Sequence, residues 1–207
     1  DDCVPHLDFF TFCENLLDRY AEDERVSAIT GNNFQNGKWR GDASYYFSRY
    51  NHCWGWATWK RSWINYDPNI KFWLNWSNSK AWNNFIPSKI ERKYWSKIFN
   101  LVHLGQIDSW AYPWTASTWY KEGLTVTPNV NLVSNIGFGD NATHTILKEN
   151  EFSKMLTNNL NNIIYTKKVK RNKIADDWTF CHHYGGKKLY FPYNLVLLFK
   201  KIINIIF

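Results

Sequence analysis

The chain has 207 residues, long enough for one domain of ordinary size that buries roughly 70% of its extended-chain surface. An apolar fraction of 44%, with 13 Trp, 12 Tyr and 14 Phe, excludes a disordered tail. The formal charge of +7 suits an anionic partner (a nucleotide diphosphate, a nucleic acid or an acidic membrane surface) without choosing between them.

Taken in chain order, Asp8 is expected to cap a helix running to about Tyr20, because Phe9, Phe12, Cys13, Leu16, Leu17 and Tyr20 recur at helical spacing. Val26–Thr30, short and partly β-branched, reads as a buried strand ended by Gly31-Asn32-Asn33. Residues 34–43 read as an exposed loop and Ser44–Ser48 as another strand. Thr58 is expected to cap a helix through about Tyr66, stopped before Pro68. Residues 70–86 read as partly helical, and Ile90, Tyr94, Ile98 and Val102 mark a clearer amphipathic helix, its face widened by Trp95 and Phe99. A further helix is expected from Asp108 to Tyr120, with Pro113 in its first turns and Gly123 closing it. Val126 and Leu132–Val133 are short strand candidates, and Gly137-Phe138-Gly139 is a tight loop leading to His144.

Residues 148–180 are polar, rich in Asn and Lys, and weakly periodic. The densest basic run is Lys167, Lys168, Lys170, Arg171 and Lys173. The end, Leu195 to Phe207, is apolar but interrupted by Lys200, Lys201 and Asn204, too short for a membrane span of about 20 residues. It suits an interfacial helix or one packed on a domain. Two domains are expected: 1–147, carrying the chemistry, and 148–207, a polar and basic segment with an apolar helix. Cys3, Cys13, Cys53 and Cys181 form no CxxC pair, which fits reduced thiols in the cytoplasm. No signal peptide is visible. No internal repeat, P-loop or GxGxxG fingerprint occurs.

Adjacent carboxylates at a strand end, as in Asp1-Asp2, can hold Mg²⁺ or Mn²⁺, which prefer oxygen ligands; they can equally be a solvated turn. The run Asp1-Asp2-Cys3-Val4-Pro5-His6-Leu7-Asp8-Phe9-Phe10 resembles the acidic-motif region of nucleotide-diphospho-sugar transferases of the GT-A type. It is similar to the Glu-Asp-Asp segment of the N-acetylglucosaminyltransferase I type, and the set resembles glycosyltransferase family 2 as well. The resemblance continues through Arg25-Val26, Ile29 to Phe34, the block His52 to Trp59 with Trp63, then Asp108 to Trp114 and Asn131 to Gly139. It covers roughly residues 1–145.

This resemblance implies an α/β fold: the C-terminal part of a GT-A domain, a mixed sheet flanked by helices, followed by a helical tail. It implies an enzyme, a glycosyltransferase moving a sugar from a nucleoside-diphosphate-sugar donor to a hydroxyl of a glycan or glycolipid acceptor, inverting and dependent on Mn²⁺ or Mg²⁺. Asp2 would bind the metal, with Asp1 assisting through the metal's water shell or the ribose. His144 would reach the metal or the diphosphate, or serve only as a loop histidine. Asp108 would be the general base on the acceptor hydroxyl, or a helix cap alone. Asn32 and Asn33 would meet sugar hydroxyls or cap the strand end. Trp54, Gly55 and Trp56 would shape the sugar pocket, while Trp110 and Trp114 would stack on the acceptor or fill the core. The first acidic residue of the usual motif is missing, so the chain is expected to be an N-terminally truncated fragment, inactive alone. No nucleic-acid partner is expected, for want of any compact module signature. The expected location is cytoplasmic, with peripheral membrane association through the C-terminal segment left open. The competing reading is a non-catalytic carbohydrate-binding protein that retains the fold.

Overall fold

A computed structural model describes residues 2–137 and 155–195. These fall into two compact units: the described parts of Asp1–Tyr66 with Ser117–Ala175, and of Asp67–Ala116 with Asp176–Phe207.

In the first unit a four-stranded sheet has the order β3-β5-β2-β4, formed by β2 (Val26–Thr30), β3 (Tyr45–Ser48), β4 (Trp56–Thr58) and β5 (Leu124–Pro128). β2 and β5 run parallel, and the other pairings are antiparallel, so the sheet is mixed. A separate ribbon pairs β1 (Cys3–Pro5) with β6 (Val133–Asn135), placing Pro5 opposite Val133. Helix α1 (Leu7–Arg19) presents Phe9, Phe12, Cys13 and Leu16 to Val26, Ile29, Tyr45, Phe47 and Val126, and this is the unit's core. The Tyr20 and Tyr45 hydroxyls meet within it at 2.6 Å. Arg61 locks the turn between α1 and β2 by donating to the carbonyls of Tyr20, Ala21, Asp23 and Val26, with its guanidinium over the Trp59 ring. The mixed sheet with flanking helices agrees with the α/β expectation.

Several local expectations change. His6, not Asp8, caps α1: its Nδ1 accepts from the Asp8 amide at 3.2 Å, and the Asp8 carboxylate is used elsewhere. Thr58 is not a cap but the end of a strand, its hydroxyl donating to the Ser27 carbonyl. The helix after it is a single turn, α2 (Lys60–Trp63). Phe34 and Gln35, expected in an exposed loop, are buried.

The second unit is helical and aromatic. It holds α3 (Trp73–Ser77), α4 (Lys80–Phe85), α5 (Lys89–His103) and parts of α6 (Ala111–Tyr120) and α7 (Lys173–His182). Trp73, Trp82, Trp95 and Phe99 are almost wholly buried, and Trp73 meets Trp82 and Phe99 edge to face, as ring quadrupoles favour. The indole N–H groups of Trp73 and Trp82 are satisfied by Asn100 and Ser96. The buried stripe of α5 is Glu91, Trp95, Phe99 and Val102, one position on from the expected Ile90, Tyr94 and Ile98, which stay half-buried. The weakly periodic segment before residue 180 contains α7, whose first turn is tied by Asn172 accepting from the Ala175 amide.

Candidate functional site

Parallel neighbours such as β2 and β5 end on the same side of a sheet, where the loops that follow have no further ladder to join. Both loops here are rich in asparagine. Asn32, Asn33 and Gln35 follow β2, Asn129 and Asn131 follow β5, and all five amides are buried. Four of them bond to the chain itself. Asn33 accepts from the Gln35 amide and donates to the Pro128 carbonyl. Asn131 accepts from the Asn33 amide and donates to Val133 and Leu156. Asn129 holds both the amide and the carbonyl of Arg40. Gln35 donates to Ala175 and accepts from Arg40.

Asn32 differs. Its Oδ1 accepts from the Thr30 hydroxyl at 2.9 Å, but its Nδ2 is buried with no hydrogen-bond partner among the described residues. An amide donor so placed is unusual, because leaving it unmade costs about 1–3 kcal/mol.

Backbone bonds draw the other predicted residues of this unit to the same place. Gly31 N–H donates to Gly55 O at 2.7 Å, Leu132 N–H to Gly31 O at 2.8 Å, and His6 N–H to Leu132 O at 2.8 Å. The ribbon of β1 and β6 therefore abuts the loops after β2 and before β4. Phe34 meets His52 and Trp54 edge to face, at 4.6 and 5.3 Å. Gly55 has φ +61, and a side chain there would strike Val133 and Phe9, so packing within the chain already accounts for this glycine. Trp56 is half-buried and tilted toward the exposed Trp63 at 5.8 Å, and Trp63 stacks on Tyr66 at 4.7 Å.

Asp2 is exposed and lies directly over Gly137, whose hydrogen leaves the space the carboxylate occupies. The Asp2 carbonyl also accepts from Ile136 N–H at 2.9 Å, extending the ribbon by one bond. The first acidic residue described and the start of the expected glycine loop are thus neighbours. Asp1, Phe138, Gly139 and His144 lie outside the described residues. Among the described residues no group of three or more His, Cys, Asp and Glu side chains gathers. Among the described residues Asp2 supplies a carboxylate of the kind Mg²⁺ and Mn²⁺ accept, ions often held by one or two carboxylates with waters and substrate phosphates. Desolvation by the surrounding protein, then the neighbouring Cys3, push the Cys53 thiol up from its ordinary range.

The remaining predicted residues belong to the other unit. Asp108 is exposed in the irregular segment before α6, which begins three residues later, and Ser109 accepts from the Ala111 amide there. Asp108 is therefore not the helix cap. Trp110 is exposed, whereas Trp114 is 2% exposed and belongs to the interior. Sequence reasoning passed over Asn129, Asn131 and Gln35. The signal was an asparagine-rich turn after each of two apolar strands.

The fold defines a class: an α/β protein of general Rossmann-like architecture, with its polar loops gathered at the carboxyl ends of a parallel strand pair. Comparison of the chain with protein-family models, with curated proteins and with solved structures returned no significant match.

Proposed function

We propose that the chain is the metal- and acceptor-binding part of a GT-A-type glycosyltransferase, transferring a sugar from a nucleoside-diphosphate-sugar to a hydroxyl of a glycan or glycolipid. The observation that supports this most is the buried, unpartnered Asn32 amide beside the Trp54-Gly55-Trp56 loop at the carboxyl end of β2, where open α/β sheets bind their ligands, with Asp2 on the ribbon of β1 and β6 that abuts this loop. The unpartnered Nδ2 of Asn32 is a donor ready for a sugar or phosphate oxygen. Asp2 would hold Mn²⁺ or Mg²⁺, which when bound would offset negative charge on the departing diphosphate. Asp108, exposed and without a hydrogen-bond partner among the described residues, is the proposed general base.

In the intact protein, Asp2→Asn and Asp108→Asn should each lower turnover of a nucleotide sugar at least a hundredfold, with unchanged thermal unfolding. Full activity in both variants would sink the assignment. A second reading, glycan binding without catalysis, is favoured by the half-exposed series of Trp56, Trp63 and Tyr66, since aromatic faces stack on sugar rings. Donor consumption that stops on chelating Mn²⁺ and Mg²⁺ decides against it. Glycan binding lost in Trp63→Ala, with no donor consumption in any divalent ion, decides for it.

A further inference from the structure

The basic run of the sequence is not a loose tail. Residues 155–172 are strapped onto the first unit by bonds from Leu160 N–H to the Asp8 carboxylate (2.6 Å), Ile164 N–H to Ser44 Oγ (2.8 Å), Ser44 N–H to Ile164 O (2.9 Å) and Asn172 N–H to Phe47 O (2.7 Å). The strap carries Lys167, Lys168 and Lys170 past the end of α1. The Thr166 hydroxyl turns the chain there, bonding to both the amide and the carbonyl of Lys168. Between strap and helix lies a trough of about 520 Å³, lined by Arg19, Arg25, Lys167, Lys168 and Lys170, with Asp23 as its one carboxylate. Asp23 is consumed by Arg25, through contacts of 2.6 and 2.8 Å. Arg19 and the three lysines make no ion pair among the described residues. On the strap's far side a smaller hollow of about 190 Å³ shares Lys168 and Lys170 and adds Arg40 and the carboxylate of Asp42.

We propose that this trough binds a chain of oxyanions that carries no aromatic bases: an acidic saccharide, phosphorylated or carboxylated, or a polyphosphate. Four cations on two sides of a trough favour repeated negative charge along a narrow ligand. Stacking is not on offer. Tyr20 is buried, and Tyr165, one ring face of which lies under the Arg19 guanidinium at 4.4 Å, does not line the trough, so a single-stranded nucleic acid would find no stacking platform within it. A broad anionic membrane is disfavoured by the acidic surface bordering Arg19 and Arg25, where Asp18, Glu22, Asp23 and Glu24 cluster. The proposal needs neither a sugar donor nor a metal, so it is independent of the transferase reading.

The test is binding of the whole chain, followed by fluorescence anisotropy, to labelled inorganic polyphosphate, an acidic oligosaccharide, single-stranded DNA of matched charge and phosphatidylserine vesicles. Expected is salt-sensitive binding of polyphosphate, the oligosaccharide or both; which of the two binds more tightly identifies the source. The triple variant Lys167→Gln, Lys168→Gln and Lys170→Gln should lose at least tenfold in affinity. A triple variant removing equal charge elsewhere, Lys80→Gln, Lys89→Gln and Lys93→Gln, should lose less than threefold. Equal losses in the two triples, or tighter binding of DNA or vesicles than of either base-free polyanion, would overturn the proposal.

Discussion

The Asp8 carboxylate accepts the backbone N–H of Leu160 at 2.6 Å, joining the first turn of α1 to a segment 152 residues away. An ionised acceptor makes such a bond worth about 1.5–3 kcal/mol. Asp8→Ala is expected to lower stability by about 2 kcal/mol and to expose residues 155–165 to proteolysis. Asp8→Asn, which keeps an acceptor, should lose about half as much. Denaturant unfolding and limited chymotrypsin digestion, with cleavage after Leu156, Leu160 or Tyr165 read by mass spectrometry, check both. Cleavage no faster than in the unmodified chain would mean the strap is held by its other bonds.

Gly55 and Gly37 both have positive φ, +61 and +74, but only Gly55 is crowded. At Gly55 a Cβ would lie 2.6 Å from Val133, whereas nothing lies within 4 Å at Gly37. Backbone strain alone costs about 1 kcal/mol, and forcing a methyl into packed atoms adds about 1–3 kcal/mol. Gly37→Ala should therefore cost about 1 kcal/mol and Gly55→Ala about 3 kcal/mol, measured as shifts in urea midpoint at constant slope. Equal costs at the two positions would show that the ribbon of β1 and β6 yields readily beneath Gly55.

The elements that could be read from the chain are those whose cause is local. Val26–Thr30 is a strand of apolar and β-branched residues, and its burial follows from composition. The face of α5 was misjudged by one position because Glu91, an acid by any polarity scale, is 4% exposed, and such burial depends on partners that sequence does not show. Thr58 looked like a cap because hydroxyls favour helix starts, but its hydroxyl is taken by Ser27, 31 residues earlier. The same limit governs the candidate site. Asn32 and Gly55 can be nominated singly, while the approach of their loops depends on bonds from Gly31 to Gly55 and from Leu132 to Gly31. The trough is assembled from residues 19–25 and 166–170, so a run of lysines was visible but its arginine wall was not.

His183 follows α7, its backbone N–H on the Thr179 carbonyl and its ring 4.6 Å from Tyr184. Burial alone pushes its pKa down to about 4, from an ordinary value of 6.5. The folded chain therefore binds fewer protons at this site than the unfolded chain between pH 6.5 and 4. Stability must fall as the pH drops through that window, and it stays whole above it. With the ring's partial exposure allowed for, the loss between pH 7.5 and 4.5 is about 2 kcal/mol. Carboxylates contribute their own slope in any variant, so the difference between two proteins is the informative quantity. His183→Gln should unfold with a shallower pH dependence than the unmodified chain, the curves differing by about 2 kcal/mol more at pH 4.5 than at pH 7.5. Urea unfolding across that range supplies the comparison, and parallel curves would mean that His183 takes up its proton in the folded chain as easily as in the unfolded one.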